Sequence, residues 1–396
     1  MILVQIQSYN SFASSILFGI VGAATIGIVS SLHAICCRHV KPRRRVKGIA
    51  LRSYHGISSI EVRNDLSYPK ILNPDEVLIK VVAAGLETVD FMITQGYGSS
   101  IRSYLKQNNE HANGTVILGR ECSGVVLETG RDVTSFFEGD EVWVVSPYCL
   151  EGLMVEYCVV KEFYVSLKPR NLTFEEAASL PYTAIQVCNA VIHQAKLNPK
   201  TTINKRILIL AGNTPFGLFA MQLLKSWGGD VTTAVPTAGL PMSRVLKADD
   251  VIVYTVTDYE MELRRRKKFD MVINSMGTIV HPLCLDVCSP GGRVITFTTT
   301  SLLLSDKFGV FFGSLIALAM QVTAWMKKMS EGKLNSFCWD TLTYDREYLN
   351  IACRLVEENK VSPIIENVYC IDEAVYAFQQ LAKYENVGKS VIRISS

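Results

Sequence analysis

One stretch limits the fold more than any other: residues 206–235, RILILAGNTPFGLFAMQLLKSWGGDVTTAV. The run Ile207, Leu208, Ile209, Leu210 suits a strand buried on both faces. A short turn with Gly212 and Gly217 follows, then a helix carrying Phe219, Met221, Leu223 and Leu224 that stops at Gly228-Gly229. A second β-branched strand begins at Val231. Strand, glycine-bearing turn, helix and strand form the opening unit of a dinucleotide fold. Its turn brings a helix N-terminus, with free N–H groups and a favourable dipole, to a pyrophosphate. Other βαβ units in doubly wound sheets have the same outline.

The β/α alternation continues downstream, with strands expected at 251–254, 269–274 and 293–298. That spacing predicts a parallel sheet covered on both faces. Upstream, residues 49–165 are β-rich and read as a compact β domain. Strands are expected at 77–82, 155–160 and 164–168, with a turn at Gly139-Asp140 entering another. Residues 172–190 turn helical, with Thr173 as cap and Glu175-Glu176 in the first turn. An amphipathic helix is expected at 350–359, a further helix at 371–381 and a closing strand at 390–394.

The chain has 396 residues, enough for two domains with cores of their own. Its net charge of +3 gives no general electrostatic case for nucleic acid. The basic run 264–268 reads as a solvated helix end. The 11 cysteines include no C-x-x-C pair, which argues against a disulfide scaffold or a structural zinc lobe.

Two apolar stretches remain. Residues 12–37, FASSILFGIVGAATIGIVSSLHAICC, contain no Asp, Glu, Lys or Arg, and six basic residues follow between Arg38 and Lys47. They read as an uncleaved signal-anchor, an N-terminal transmembrane helix whose basic flank stays on the cytosolic or matrix side. Residues 309–326, GVFFGSLIALAMQVTAWM, lie inside the α/β region, where spanning a bilayer would tear that region apart. They read as a buried or dimer-facing helix, with shallow membrane contact as the alternative.

The segments LGRECSGVV (118–126), FFEGDEVW (136–143), AASLPYTA (177–184), LKADDVIVY (246–254) and GKSVI (388–392) resemble, in order and spacing, the medium-chain dehydrogenase/reductase superfamily and its quinone oxidoreductase branch. The resemblance covers residues 47–396 and implies an α/β fold, a GroES-like β domain plus a Rossmann doubly wound parallel sheet. It places the first part of the catalytic domain at 47–170, the cofactor domain at 171–345 and a return to the catalytic domain at 346–396, after the membrane anchor and basic flank read at 1–46 from the apolar run. It also implies NADPH-dependent reduction of a quinone or enone, with a mitochondrial location, a link to ubiquinone metabolism, a homodimer and a reticulon-type membrane protein as partner. Zinc-using relatives carry a G-H-E motif and an early ligand cysteine; here the positions read Gly119-Arg120-Glu121 and 85–90 without cysteine, so no zinc is expected.

The resemblance places Tyr97, Glu87 and Gln186 at the reacting end of the site. Tyr97 either stacks on or hydrogen-bonds the acceptor, or is a core tyrosine. Glu87 and Gln186 stand where relatives often have Asn and Thr, and a carboxylate there opposes negative charge developing on an oxygen unless it is protonated or turned away. The cofactor positions implied are Asn213, Thr214, Pro215, Phe216, Gly217, Arg244, Tyr254, Gly277, Phe297 and Gly388. No acidic residue occurs between Val231 and Lys247 to hold a ribose 2′-hydroxyl, which favours NADPH over NADH. The turn itself departs from the family's G-A-S-G-G-V-G: Thr214 and Pro215 replace two glycines, Pro215 lacks an N–H donor, and Asn213 and Thr214 are the candidate replacement donors. These departures leave a second reading open, a membrane-tethered binding or scaffold protein with weakened or lost turnover.

Overall fold

The fold comes from a computed structural model, which describes residues 45–106, 115–297, 300–330, 336–338, 343–383 and 386–395. The expected N-terminal transmembrane helix, at 12–37, lies outside the described residues. Among those described, no helix is long and apolar enough to cross a membrane.

The first part of the chain supplies strands β1 (Arg45–Leu51), β2 (Ile60–Ser67), β3 (Glu76–Leu86), β4 (Val116–Ile117), β5 (Glu121–Thr129), β6 (Glu141–Val145), β7 (Tyr157–Lys161) and β8 (Val165–Leu167). The middle supplies β9 (Arg206–Leu210), β10 (Asp230–Val235), β11 (Asp250–Val253), β12 (Phe269–Asn274), β13 (Cys288–Thr296) and β14 (Ser336–Cys338). The end supplies β15 (Ile365–Cys370) and β16 (Lys389–Arg393).

Strands β9 to β14 form one six-stranded parallel sheet in the order β11-β10-β9-β12-β13-β14. Its inner strands are apolar without interruption, because helices cover both faces: Ile207, Leu208, Ile209 and Leu210 are all fully buried. The strand order reverses between β9 and β12. Ligands of doubly wound sheets bind at such a switch point, beyond the carboxyl ends of the strands.

The second large sheet runs β15-β16-β3-β5-β6-β8, with β7 also pairing β3. The long strand β3 divides one edge between two neighbours: residues 76–80 pair with β7 and residues 83–86 with β16. The last strand of the chain is thereby carried back beside the third. A small sheet, β2-β1-β4, completes the β-rich part.

One apolar cluster joins the two large sheets, with Trp143 and Val145 from β6 packed in the same core as Ile207 and Ile209 from β9. Helices Pro181–Val187, Pro215–Ser226 and Arg346–Glu357 contribute to it through Ile185, Phe219 and Leu349. The segment expected to be helical at 172–190 breaks into two helices, Phe174–Ala178 and Pro181–Val187, followed by a π-helical stretch Cys188–Gln194. Thr173 caps the first as expected, taking the Glu176 N–H at 3.3 Å while the Glu176 carboxylate takes the Thr173 N–H at 2.8 Å. Pro181 opens the second, a position where its missing N–H costs nothing. The basic run 264–268 ends a helix as expected, with Arg264 and Arg265 solvated and Arg266 paired to Asp250 at 2.5 Å.

Of the two placements expected for 309–326, buried or dimer-facing, burial within the chain is overturned. The apolar stretch 309–326 forms most of helix Val310–Ser330, but it is not buried within the chain: Phe311 is 75% and Phe312 63% exposed. Only Gly313 and Ala317 of its described side chains turn inward, because the helix meets the body through a narrow stripe.

Gly212 and Gly217 set how closely β9 and its helix can pack. A Cβ on Gly212 would lie 1.9 Å from Thr233 Oγ1, and one on Gly217 would lie 2.6 Å from Gly212 Cα. Gly212→Ala is therefore expected to destabilise the fold by about 1–3 kcal/mol, the ordinary range for an overpacked core. Urea unfolding of the variant against the parent chain measures it.

Candidate active site

The site is built at the switch point. The turn after β9 places Thr214 as cap of helix Pro215–Ser226, where its hydroxyl accepts the Gly217 N–H at 3.2 Å. The same hydroxyl donates to the Ala211 carbonyl at 2.8 Å, and Asn213 Nδ2 donates to the Asn386 carbonyl at 3.0 Å. Both side chains expected as replacement phosphate donors thus each donate one hydrogen bond within the protein. Thr214 holds the turn and Asn213 ties it to the C-terminal segment. The Gly388 N–H adds to that tie by donating to the Asn213 carbonyl at 3.2 Å.

Other cofactor positions gather around the same point. Ser275 Oγ, just past β12, donates to the Leu210 carbonyl at 2.7 Å and so fastens the two strand ends on either side of the switch. Gly277 follows with φ 91°, and nothing lies within 4 Å of the place a Cβ would occupy. Phe216 and Phe297 meet edge to face at 4.6 Å between ring centroids, which brings the start of the helix to the end of β13. Tyr254, just past β11, packs its ring on Tyr259 at 6.2 Å, and Arg244 is exposed on helix Leu240–Val245 after β10.

These residues fit a dinucleotide in part. Asn213 Oδ1 is buried at the turn without a protein partner, an acceptor suited to a hydroxyl. The space at Gly277 is open, and the end of β10 offers no carboxylate against a 2′-phosphate. The pyrophosphate end fits less well, since Pro215 gives no N–H there.

Around Glu87, the position expected at a reacting end, stands an ionic cluster that the sequence alone did not assemble. Glu87, which directly precedes helix Thr88–Thr94, ion-pairs with Lys389 at the start of β16. The Lys389 ammonium also lies 2.6 Å from Glu121 Oε1, and the other oxygen of Glu121 accepts the Tyr182 N–H at 2.8 Å. The Glu87 carboxylate faces a buried cation, the Lys389 ammonium. Thr183 Oγ1 completes its surroundings at 3.4 Å. A second pair lies next to the first: Asp90 and Arg120, both fully buried, at 3.5 Å. Arg120 Nη1 donates to the carbonyls of Pro147 and Leu150 at 2.8 and 3.0 Å. The Arg120 guanidinium is spent on this lattice.

Burial controls the protonation of the cluster. It pushes the Glu121 carboxyl up to about 7, with the Lys389 ammonium pulling down and Glu87 adding to the rise. It pushes Asp90 up to about 6, with Arg120 and the Gly119 and Glu87 N–H groups pulling down. Burial lowers Arg120, which Asp90 opposes. For Lys389 burial again works against the charge, but Glu121 and Glu87 together outweigh it and its pKa is raised.

Tyr97 is buried, its ring 5.8 Å from that of Tyr148. Its carbonyl accepts Arg102 Nη2 at 2.5 Å. Gln186 is half-buried on helix Pro181–Val187, one turn beyond Tyr182 and Thr183. Between this helix and Pro215–Ser226 only a cavity of about 10 Å³ remains, lined by Thr183, Pro215 and Lys389. The missed residues left a faint signal: charged Arg120, Glu121 and Lys389 enter otherwise apolar strand segments, which only paired burial allows.

With the fold and site in view, the class of protein is a two-part reductase fold, a GroES-like sheet facing a Rossmann sheet. Residues 73–170 match the family "Alcohol dehydrogenase GroES-like domain" and residues 246–392 match "Zinc-binding dehydrogenase". Among the described residues no group of three or more His, Cys, Asp or Glu is placed to hold a metal. The solved quinone oxidoreductase from Coxiella burnetii shares the fold, with a TM-score of 0.72 and 24% identity over 89% of this chain and all of that one. "NAD(P)H oxidoreductase RTN4IP1, mitochondrial" of Danio rerio is 33% identical over 332 residues, 82% of this chain and 85% of that protein. Its counterpart in Homo sapiens is 32% identical over 337 residues, 83% and 84% of the two chains. The chain belongs to the RTN4IP1 family of the medium-chain dehydrogenase/reductase superfamily.

Two predictions follow from the cluster. Asp90 and Glu121 bind their protons more tightly folded than unfolded, so that share of stability is complete below the ordinary carboxyl range. It is lost as pH rises through about 6 for Asp90 and about 7 for Glu121. Thermal unfolding is expected to give a midpoint that falls between pH 5 and pH 8, with Glu121→Gln flattening the upper half of the fall. Lys389→Met leaves two buried carboxylates without their cation and is expected to cost about 3–5 kcal/mol, a loss that Glu87→Gln in the same chain partly restores. Urea unfolding of the single and double variants measures both.

Proposed function

We propose that the chain is an NADPH-dependent, zinc-independent oxidoreductase that reduces a quinone or related conjugated carbonyl. The observation that carries this reading is the switch point itself. Asn213, Gly277 and Phe297 converge there from β9, β12 and β13, and the C-terminal segment with Gly388 and Lys389 closes on them. In this reading residues 47–170 and 346–396 form the catalytic domain and residues 171–345 the cofactor domain.

The bound cofactor supplies a hydride; the chain's own work is to bind, orient and exclude water. Phe216 and Phe297 wall the crevice. Asn213 Oδ1 accepts from a ribose hydroxyl, and Arg244 and Tyr254 lie toward a 2′-phosphate. Lys389 keeps the Glu87 carboxylate from opposing the negative charge that grows on the acceptor oxygen. Tyr97 borders the acceptor. Gln186 stands one turn along the same helix from Thr183 and is the position that sets the fit of the acceptor ring.

The relatives' names support a mitochondrial setting and NAD(P)H chemistry, and a relative in Caenorhabditis elegans is called "Reticulon-4-interacting protein 1, mitochondrial". A mitochondrial location, an N-terminal membrane anchor, a homodimer, a reticulon-type partner and a place in ubiquinone metabolism belong to this proposal. A second reading, a tethered binding protein without turnover, is favoured by one observation: Pro215 removes a donor while Asn213 and Thr214 are engaged elsewhere.

Titration calorimetry of the full chain in mild detergent separates the two. NADPH is expected to bind more tightly than NADH, and Pro215→Gly to tighten NADPH several-fold by restoring an N–H. Binding of neither cofactor by either chain would sink the reductase reading and leave the scaffold reading standing.

A further inference from the structure

Helices Thr300–Phe308 and Val310–Ser330 form a hairpin turned at Gly309. Its second helix is unusual for one in contact with water. Placed at about 100° per residue, the exposed side chains Phe311, Phe312, Leu315, Leu318, Val322 and Met326 span roughly 120°, and exposed Ile316 and Met320 widen the apolar arc to roughly 200°. An ordinary surface helix turns a narrower apolar stripe toward its own core. Here the arc points away from the body of the protein, and only the stripe at Gly313 and Ala317 is covered.

The hairpin is held firmly at its base. Gly313 crosses the first helix so closely that a Cβ would meet Ser305 Cα at 2.4 Å. Such backbone contact at small residues is how helices associate where water gives no hydrophobic drive. Asp306 points inward and accepts the N–H groups of Gly98 and Ser100 at 2.7 and 3.0 Å. Leu302 packs against the apolar cluster that contains Tyr97.

Charge selects the occupant. No acidic residue occurs from Lys307 to Ser330, while exposed Lys307 precedes the helix and Lys327-Lys328 lie near its end in sequence. Apolar side chains over half a helix, bracketed by lysines, match acyl chains beneath anionic headgroups. A second copy of the chain would cover one face and leave much of the arc in water. The helix does not meet the requirements of a span, which fits a hairpin lying in one leaflet.

We propose that the 300–330 hairpin inserts into one leaflet of an anionic membrane as a contact separate from the N-terminal segment. Its base is bonded to residues 98–100, beside Tyr97, so a lipid-dissolved acceptor reaches the site along it. That last clause rests on the reductase reading above; the insertion does not.

The test is hydrogen–deuterium exchange of the full chain, alone and with vesicles of phosphatidylcholine and phosphatidylglycerol. Amides of residues 310–326 are expected to exchange about tenfold more slowly or better with vesicles. The triple variant Phe311→Ser, Phe312→Ser, Leu315→Ser is expected to lose that protection with an unchanged exchange map elsewhere. Unaltered exchange on vesicles overturns the proposal, as does protection that the triple variant retains. So does protection that arises without vesicles and grows with protein concentration, since a second copy would then cover the arc. Calorimetry with NADPH on the same sample keeps the two readings apart: lipid protection without NADPH binding sinks the reductase reading alone, and the reverse sinks the insertion alone.

Discussion

The structure depends on a cation that water does not reach. Lys389 sits between Glu87 and Glu121, and all three lie in the chain's interior. Removing such charges from water is costly, and only mutual pairing with good geometry offsets it. The pairing spans 302 positions in sequence between Glu87 and Lys389. It therefore fixes where the last strand must go: β16 lies beside β3, β3 beside β5, and the ions lock the three together. A shift of register by one residue would turn Lys389 to the other face of its sheet and strand both carboxylates.

That lock reaches the cofactor side. The N–H of Gly388, one residue before the cation, donates to the Asn213 carbonyl in the turn after β9, and the Asn386 carbonyl accepts from the Asn213 side chain. The closing segment of the chain thus holds the buried ionic cluster and the conformation of the turn after β9 together. Substitutions in the turn look less like decay in this light. Asn213 ties the turn to the C-terminal segment through its amide N–H, and Thr214 caps the helix. Arg120 shows the same economy of charge, with one guanidinium satisfying Asp90 and the carbonyls of Pro147 and Leu150.

The helical hairpin follows the opposite logic. The cores of both large sheets draw apolar side chains inward, yet Val310–Ser330 carries its apolar arc outward on a base fixed by Asp306. A lipid-facing surface joined to the Tyr97 segment gives the reductase reading a route for a poorly soluble acceptor.

Much of the fold was legible in residues 206–235, because an uninterrupted apolar strand followed by a glycine turn and an apolar helix has few other solutions. The parallel sheet, the capping Thr173 and the missing carboxylate after β10 could all be read from local chemistry. Long-range pairing could not. Nothing local in Glu87 announces Lys389, and an Asn or Thr hydroxyl in a turn does not reveal whether it faces a ligand or a carbonyl of its own chain. The exposure of 309–326 was hidden for the same reason, since an apolar run has the same composition whether protein, lipid or a second copy covers it. Sequence determined the elements and the family, which depend on neighbours a few residues apart; tertiary structure alone decided the ionic lock and the outward hairpin, because burial and charge balance are set by what distant strands bring together.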